Sequence, residues 1–508
     1  MKHGWISILA SVVLVASVVM LAASKAAAQN VSDYRSKQSG NWSDPSTWEH
    51  YDGTTWVNAT AAPTHTDGVI TIRNGHTVTI TASVTVDQVV VEAGGQVTVN
   101  SGGTFSTNDG AGHELTIYGT FLHSGTVPNP MNGGGVLASG GIYIHNTTSS
   151  AVRMLTFFGS NIDANSTFIY RDAGVAVSFS GRTYGNLTFE STSSWTVKPK
   201  GASPLTVQGD FTIGNNVTLD VSGFSGDINI AGNWTNNGTF IAGTGTVTFN
   251  GTGISSYGGS STTTFNNLTI NSGATLDIGT NTIFNISGTM TNNGTLKQTK
   301  TVNAANTVFL NISTDKYYGV EIKPGSNNLG STTVSIRGNQ TCGTGGTLPD
   351  AVKRCYDIVP SNQLESTIRF YYRSAEANSN TAPNVYHWNS STSTWDLQTL
   401  VGRGGSGEGM YVEASGISSY SPFTLKDNQP TAITLSSFTA RPSSSHSASL
   451  NWVAVIAFTL AGLVGAGAQY FWVYEDAPRW CESCPRAFLL SLSHPHRIYV
   501  YGSMWLRD

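Results

Sequence analysis

From residue 70 to residue 300, apolar side chains recur at every second position in short runs. Ile70/Ile72, Val78/Ile80, Val84/Val86, Val89/Val91 and Val97/Val99 are the first of them. A period of two turns one face of each run inward and the other to solvent, as in a β-strand. Asn74-Gly75, Gly94-Gly95 and Gly102-Gly103 separate the runs, and such pairs favour tight turns. Val78/Ile80 and Val97/Val99 are 19 residues apart. A step of roughly 20 residues suits one turn of a solenoid.

An apolar-x-Gly-x-apolar unit makes the repeat explicit. It occurs at Ile117-Tyr118-Gly119-Thr120-Phe121, Val207-Gln208-Gly209-Asp210-Phe211, Ile230-Ala231-Gly232-Asn233-Trp234 and Ile286-Ser287-Gly288-Thr289-Met290. The last two each run on into Thr-Asn-Asn-Gly-Thr, and Asn186-Leu187-Thr188 returns as Asn267-Leu268-Thr269. Each strand shelters one or two aliphatic side chains, so only stacking of successive turns makes a continuous core. After residue 300 the strand-like runs lengthen and become more aromatic, as at Ile368 to Tyr372 and Tyr386 to Trp388. Their wider spacing predicts an antiparallel β-sandwich of Ig-like type. The expected fold is all-β: a right-handed parallel β-helix, then the sandwich, plus one C-terminal transmembrane helix.

The segment boundaries follow from composition. Residues 1–29 read as a signal peptide, with Lys2, an apolar stretch and Ala26-Ala27-Ala28 before the cut. Residues 30–125 form the N-terminal cap and first solenoid turns, 126–300 the remaining turns, and 301–427 the sandwich. Residues 428–449 are rich in Pro, Ser and Thr and read as a stalk. Within 450–474, the stretch 452–474 carries no charge. As a helix it would extend about 35 Å, enough to cross a bilayer. Trp452 lies at one end and Tyr470, Trp472 and Tyr474 at the other, as in an interfacial belt. Residues 475–508 then form a cytoplasmic tail, and the rest faces outward.

Charge changes the picture only by its scarcity. Of 508 residues, 11 % are charged and the net charge is −4. No basic field exists to attract nucleic acid. The 39 % hydrophobic content and its regular placement exclude a disordered chain. Cys342 and Cys355 flank a Gly-rich loop on the exported side, where a disulfide is expected. Cys481 and Cys484, with His494 and His496, have spacing too tight for the usual zinc finger, so no metal site is expected.

The stretch Ser39-Gly40-Asn41-Trp42, Thr47-Trp48, Pro63, Asp67-Gly68-Val69-Ile70 and Gly75-His76-Thr77-Val78 resembles the G8-like start of bacterial surface and secreted β-helix proteins. That resemblance implies a right-handed parallel β-helix, and a cell-surface setting in which some relatives bind or act on extracellular polysaccharide.

Chemistry is sparse. Polysaccharide hydrolysis needs two facing acids. Asp163 and Asp172 are the closest candidates in sequence, and alignment of the repeats puts Asp210 in a column with Asn233, Thr289 and Thr120, a mixed polar ladder. His65, Asp67 and His76 cluster near the tryptophans, where Asp67 also fits a turn. No catalytic residue and no cofactor is assigned; structural Ca2+ is compatible with the chain, but no pattern points to it. Trp42, Trp48 and Trp56 are the candidate carbohydrate-binding residues, since aromatic faces can stack on sugars. They fit better as a plug for the open end of the solenoid, which needs a cap. Trp388 and Trp395 are expected in the sandwich core. The expected partners are an extracellular glycan or surface protein, and the bilayer through residues 452–474. The expected role is adhesion, envelope structure or glycan contact without catalysis, with a polysaccharide hydrolase or lyase as the alternative.

Overall fold

Each three- to five-residue apolar run can bury only its alternate side chains, and the chain solves this by coiling so that like positions stack. The computed structural model describes residues 29–427, apart from 173, 175–176, 178, 281–283, 313–316, 344–347 and 421. It also describes the backbone of strands at 434–444, 447–456, 489–494 and 497–505. The chain forms two units, Met1–Lys426 and Asp427–Asp508.

In the first unit the solenoid makes about 10 turns. One face is a continuous parallel ladder. Val78 lies opposite Val97, which lies opposite Phe121, and Phe121 opposite Tyr143. The column continues through Phe168, Leu187, Phe211, Trp234 and Tyr257. The ladder climbs with the chain as an open coil. A second face runs from Ile70–Ile72 through Val89–Val91 and Leu115–Ile117 to Gly135–Leu137. It resumes from Thr183–Tyr184 to Met290–Asn292. Shorter parallel pairs, such as Ser83–Val86 with Thr104–Thr107, supply the third. The one α-helix among the described residues, Val152–Phe158, is inserted between turns and buries Met154, Leu155, Phe157 and Phe158.

Glycine in the apolar-x-Gly-x-apolar unit has a steric cause. Asn186 Oδ1 accepts the Asp210 N–H at 2.7 Å, Asp210 Oδ1 the Asn233 N–H at 2.8 Å, and Asn233 Oδ1 the Ser256 N–H at 2.7 Å. A Cβ on Gly209 would collide with Asn186 Oδ1, and one on Gly232 with Asp210 Oδ1. The side-chain ladder thus occupies the space that only glycine leaves free. Asn267 does the same for Thr289, 3.0 Å away, but on the second face, where Met290 lies on Leu268. The expected single column therefore holds for Thr120, Asp210 and Asn233 and fails for Thr289. Turns of unequal length moved that copy of the motif to another face.

The last solenoid strand, Thr295–Asn303, pairs in parallel with Thr275–Asp277 on one side and antiparallel with Asn328–Gly338 on the other. It is both the final turn and the first strand of an antiparallel sheet. That sheet continues through Arg354–Pro360, Phe423–Lys426, Asn384–Asn389 and Thr394–Leu397. A second antiparallel sheet holds Thr307–Phe309, Val320–Lys323, Ser366–Tyr372, Met410–Ile417 and Thr399–Gly404 in that order. Phe370 of the second sheet packs on Tyr356 and Phe423 of the first, at 5.2 and 5.1 Å between ring centres, which makes a sandwich.

Cys342 and Cys355 are joined in a disulfide and both are buried. Closing a loop of this size contributes on the order of 3 kcal/mol. Because both sulfurs are shielded, a reductant should act only on the unfolded chain. Urea unfolding with dithiothreitol should therefore show an unchanged native baseline and a lower midpoint on refolding. An equal midpoint with and without reductant would contradict this.

In the second unit, Thr434–Ser444, Ser447–Ile456, Arg497–Trp505 and Leu489–His494 form a four-stranded antiparallel sheet in that order. Of the expected membrane helix over 452–474, residues 452–456 end the strand Ser447–Ile456, and 457–474 lie outside the described residues. Among the described residues no helix is long and apolar enough to cross a membrane. The signal segment 1–28, and Cys481, Cys484 and His496 of the tail, also lie outside them.

Candidate functional site

The tryptophans near the start of the chain are fastened inward. Trp48 is fully buried and Trp42 is 2 % exposed. Trp42 Nε1 donates to the Pro63 carbonyl at 3.0 Å, Trp48 Nε1 to the Trp42 carbonyl at 2.8 Å, and the two rings meet edge to face at 4.9 Å. Trp48–Tyr51 and Trp56–Asn58 form antiparallel partners beyond Tyr34–Ser36, which itself lies on Ile70–Ile72. These residues close the first turn of the solenoid. Trp42 and Trp48 are corrected accordingly: with no face toward solvent, neither can stack on a sugar. Trp56 is half-buried, and the Arg35 guanidinium covers one face at 4.2 Å.

The candidate acids do not converge. Asp163 Oδ1 caps the Asn165 N–H at 2.8 Å. Asp172 binds the Ser191 hydroxyl and the Thr192 N–H and hydroxyl, and these bonds, Ser191 first, hold its carboxyl below the usual range. Asp67 accepts from Thr64 within its own turn, whereas His76 Nδ1 meets the Ser36 hydroxyl at 2.9 Å. Among the described residues no three of His, Cys, Asp and Glu gather to hold a metal ion. Asp227 and Asp277 serve the backbone N–H groups of Thr246 and Gly279.

What the solenoid does present is a periodic, sparsely charged surface, with Asp227 an exposed acid beside Thr246. On the second face, Thr183, Thr206, Asn229, Thr248, Thr269 and Thr291 point outward from successive turns. Thr246 and Asn267 flank this column on one side, with Asn250 and Asn271 on the other. Neighbouring rungs in such a ladder lie about 4.8 Å apart. The result is a grid of hydroxyls and amides at fixed spacing.

Two aromatic surfaces lie in the sandwich. Trp388 and Trp395 face each other across a hairpin, edge to face at 5.5 Å. They are half-buried on its outer side, because Val385 and His387 take the inward positions. The core placement expected for these tryptophans is therefore corrected by strand register. On the other sheet, Tyr318, Tyr371 and Tyr411 follow one another at 5.4 and 5.9 Å, with the Arg369 guanidinium 4.2 Å above Tyr411. Arg369 Nε and Lys323 Nζ both donate to Glu413 Oε2, at 2.7 and 2.8 Å. Burial works against that carboxylate, yet the two cations outweigh it and hold its pKa low. Alternation along Ile368-Arg369-Phe370-Tyr371 marks Arg369 and Tyr371 as outward-facing. Only the sheet order brings Tyr411 beside them, so this patch was not apparent from the chain alone.

No family model matches this chain, nor does any curated protein or solved structure.

Proposed function

We propose that this is an exported, membrane-anchored surface protein whose solenoid contacts neutral extracellular glycans without catalysis. The observation that carries the reading is the uncharged column from Thr183 to Thr291, flanked by further Thr and Asn side chains. A sugar polymer offers hydroxyls along its length, and a periodic hydroxyl and amide surface can meet many of them weakly at once. Trp388 and Trp395 add an apolar platform suited to a pyranose face. The apolar stretch at 1–29, the buried disulfide and the resemblance of residues 39–78 to a G8-like start support export and a bacterial surface setting, and the uncharged residues 457–474, beyond the strand Ser447–Ile456, support an anchor. The dispersed acids give no support to a hydrolase.

Binding of this kind involves few charges and should depend little on salt. The full-length protein should sediment with insoluble neutral polysaccharide (cellulose, chitin or a β-glucan). The bound fraction should change less than about twofold between 0.05 and 0.5 M NaCl. Thr248→Lys with Thr269→Lys should lower binding by about tenfold, the loss of roughly 1.4 kcal/mol. Absence of binding across the panel, binding abolished by salt, or release of new reducing ends would each count against the proposal.

A further inference from the structure

The inward column beside Val78 and Val97 changes chemistry for two turns. Ile80 and Val99 are followed by His123 and His145, and then by Tyr170 and Phe189. Both imidazoles are fully buried. His123 Nε2 lies 3.1 Å from the Thr126 carbonyl oxygen, and His145 Nε2 lies 2.8 Å from that of Ser149. A carbonyl only accepts, so each Nε2 carries the proton and each neutral Nδ1 is an acceptor. Both Nδ1 atoms face the same hydroxyl, that of Tyr143, at 3.3 and 3.2 Å. One hydroxyl proton serves two acceptors. One Nδ1 therefore meets an oxygen lone pair in a dry interior, where unmet polar groups are costly.

A single added proton resolves the conflict. One Nδ1–H then donates to the Tyr143 oxygen, and the Tyr143 hydroxyl donates to the other Nδ1. A second proton would leave two cations on either side of one hydroxyl. Among the described residues the surroundings supply no counter-charge. Phe121 and Phe168 pack on the rings, and Tyr170 stands edge-on to His145 at 5.9 Å. The Tyr170 hydroxyl is engaged with that of Tyr184 at 2.9 Å. The nearby guanidiniums are positive: Arg153 binds the Val127 carbonyl, and Arg182 acts on the two phenols. Among the described residues no carboxylate bonds to either imidazole.

We propose that His123, Tyr143 and His145 form an acid-sensitive latch: the folded solenoid accepts one proton there, and uptake of the second opens the turns that carry them. Burial holds both imidazoles down, to about 4, and the charge of His145 adds to the effect on His123. In the unfolded chain an imidazole titrates near 6.5, at about its ordinary value. Between these values the unfolded state binds more protons. The stability contributed by the latch is thus complete above pH 6.5 and is lost as the pH falls toward 4.

Two measurements on the full-length chain test this. Long-range 1H–15N spectra at pH 7.5 should show the Nε2–H tautomer for both rings. Urea unfolding should be followed from pH 7 to pH 4.5 for the wild type and for His123→Phe/His145→Phe. At fixed urea the ratio of unfolded to folded wild type should rise by up to about tenfold per pH unit more than that of the double variant, one proton's worth, because the folded state already holds the first. An Nδ1–H tautomer in either ring, read on the wild type whether or not the variant folds, overturns the proposal. So does a double variant whose acid curve superimposes on that of the wild type.

Discussion

Replacing Glu376 with alanine should cost this protein about 3–5 kcal/mol of folding stability, as expected when one partner of a buried ion pair is removed. Arg354 is fully buried, and its Nη2 sits 2.7 Å from Glu376 Oε2. Burial opposes the guanidinium charge, but the Glu376 carboxylate outweighs it, so Arg354 stays ionised. Its Nη1 donates to the carbonyls of Tyr318 and Tyr371 at 2.7 and 2.9 Å, and its plane lies 4.4 Å over the Tyr317 ring. The same cluster joins sandwich to solenoid. Arg373 Nη1 donates to the Met290 carbonyl at 2.7 Å, and Asn292 Nδ2 to the Tyr317 hydroxyl at 2.9 Å. Without Glu376, a charge is left in a dry seam. Urea unfolding of Glu376→Ala and of Arg354→Met/Glu376→Leu decides the matter. The double variant should recover much of the loss, because the uncompensated charge is gone. A single variant within about 1 kcal/mol of wild type would show that water reaches this seam.

The second large effect concerns a residue with no side chain. Gly232→Ala should destabilise by about 3 kcal/mol, the upper part of the range for overpacking. The new methyl would meet the Gly209 carbonyl carbon at 2.5 Å and its oxygen at 2.6 Å, as well as Asp210 Oδ1. Backbone of the adjoining turn cannot rotate away, so the ladder must part. Gly258→Ala is the control: it lies in a strand with open space around the added Cβ. There the usual gain of about 0.4–1 kcal/mol from a stiffer unfolded chain should appear. Opposite signs for two glycines on adjoining turns would be read directly from urea midpoints. Equal effects would mean that the ladder yields more easily than its geometry implies.

Much of this architecture could be read along the chain. The alternation at Val78/Ile80 and Val97/Val99, the recurrence of Gly209 and Gly232, and the repeated Asn-Leu-Thr units all report local requirements. A strand must hide alternate side chains, and a glycine must leave room for the amide of the neighbouring turn. Such needs are met within about one turn, so they leave a periodic trace. Asp163 and Asp172 stood as the closest pair of acids along the chain, and only the stacking of turns showed Asp172 committed to Ser191 and Thr192 of the neighbouring turn.

Packing between distant segments decided the rest. Trp42 and Trp48 look like sugar platforms in isolation, yet the hairpin that closes the first turn folds over them. Trp388 and Trp395 read as core residues, and a one-residue difference in register turned them outward. The Tyr143 hydroxyl between two imidazoles, and the pairing of Arg354 with Glu376, depend on which turn or strand becomes the neighbour. The chain on its own determined that stacked short strands would share an interior. Which side chains meet inside it followed only from the lengths of the turns, because each added residue shifts the next rung's register and with it every contact between rungs.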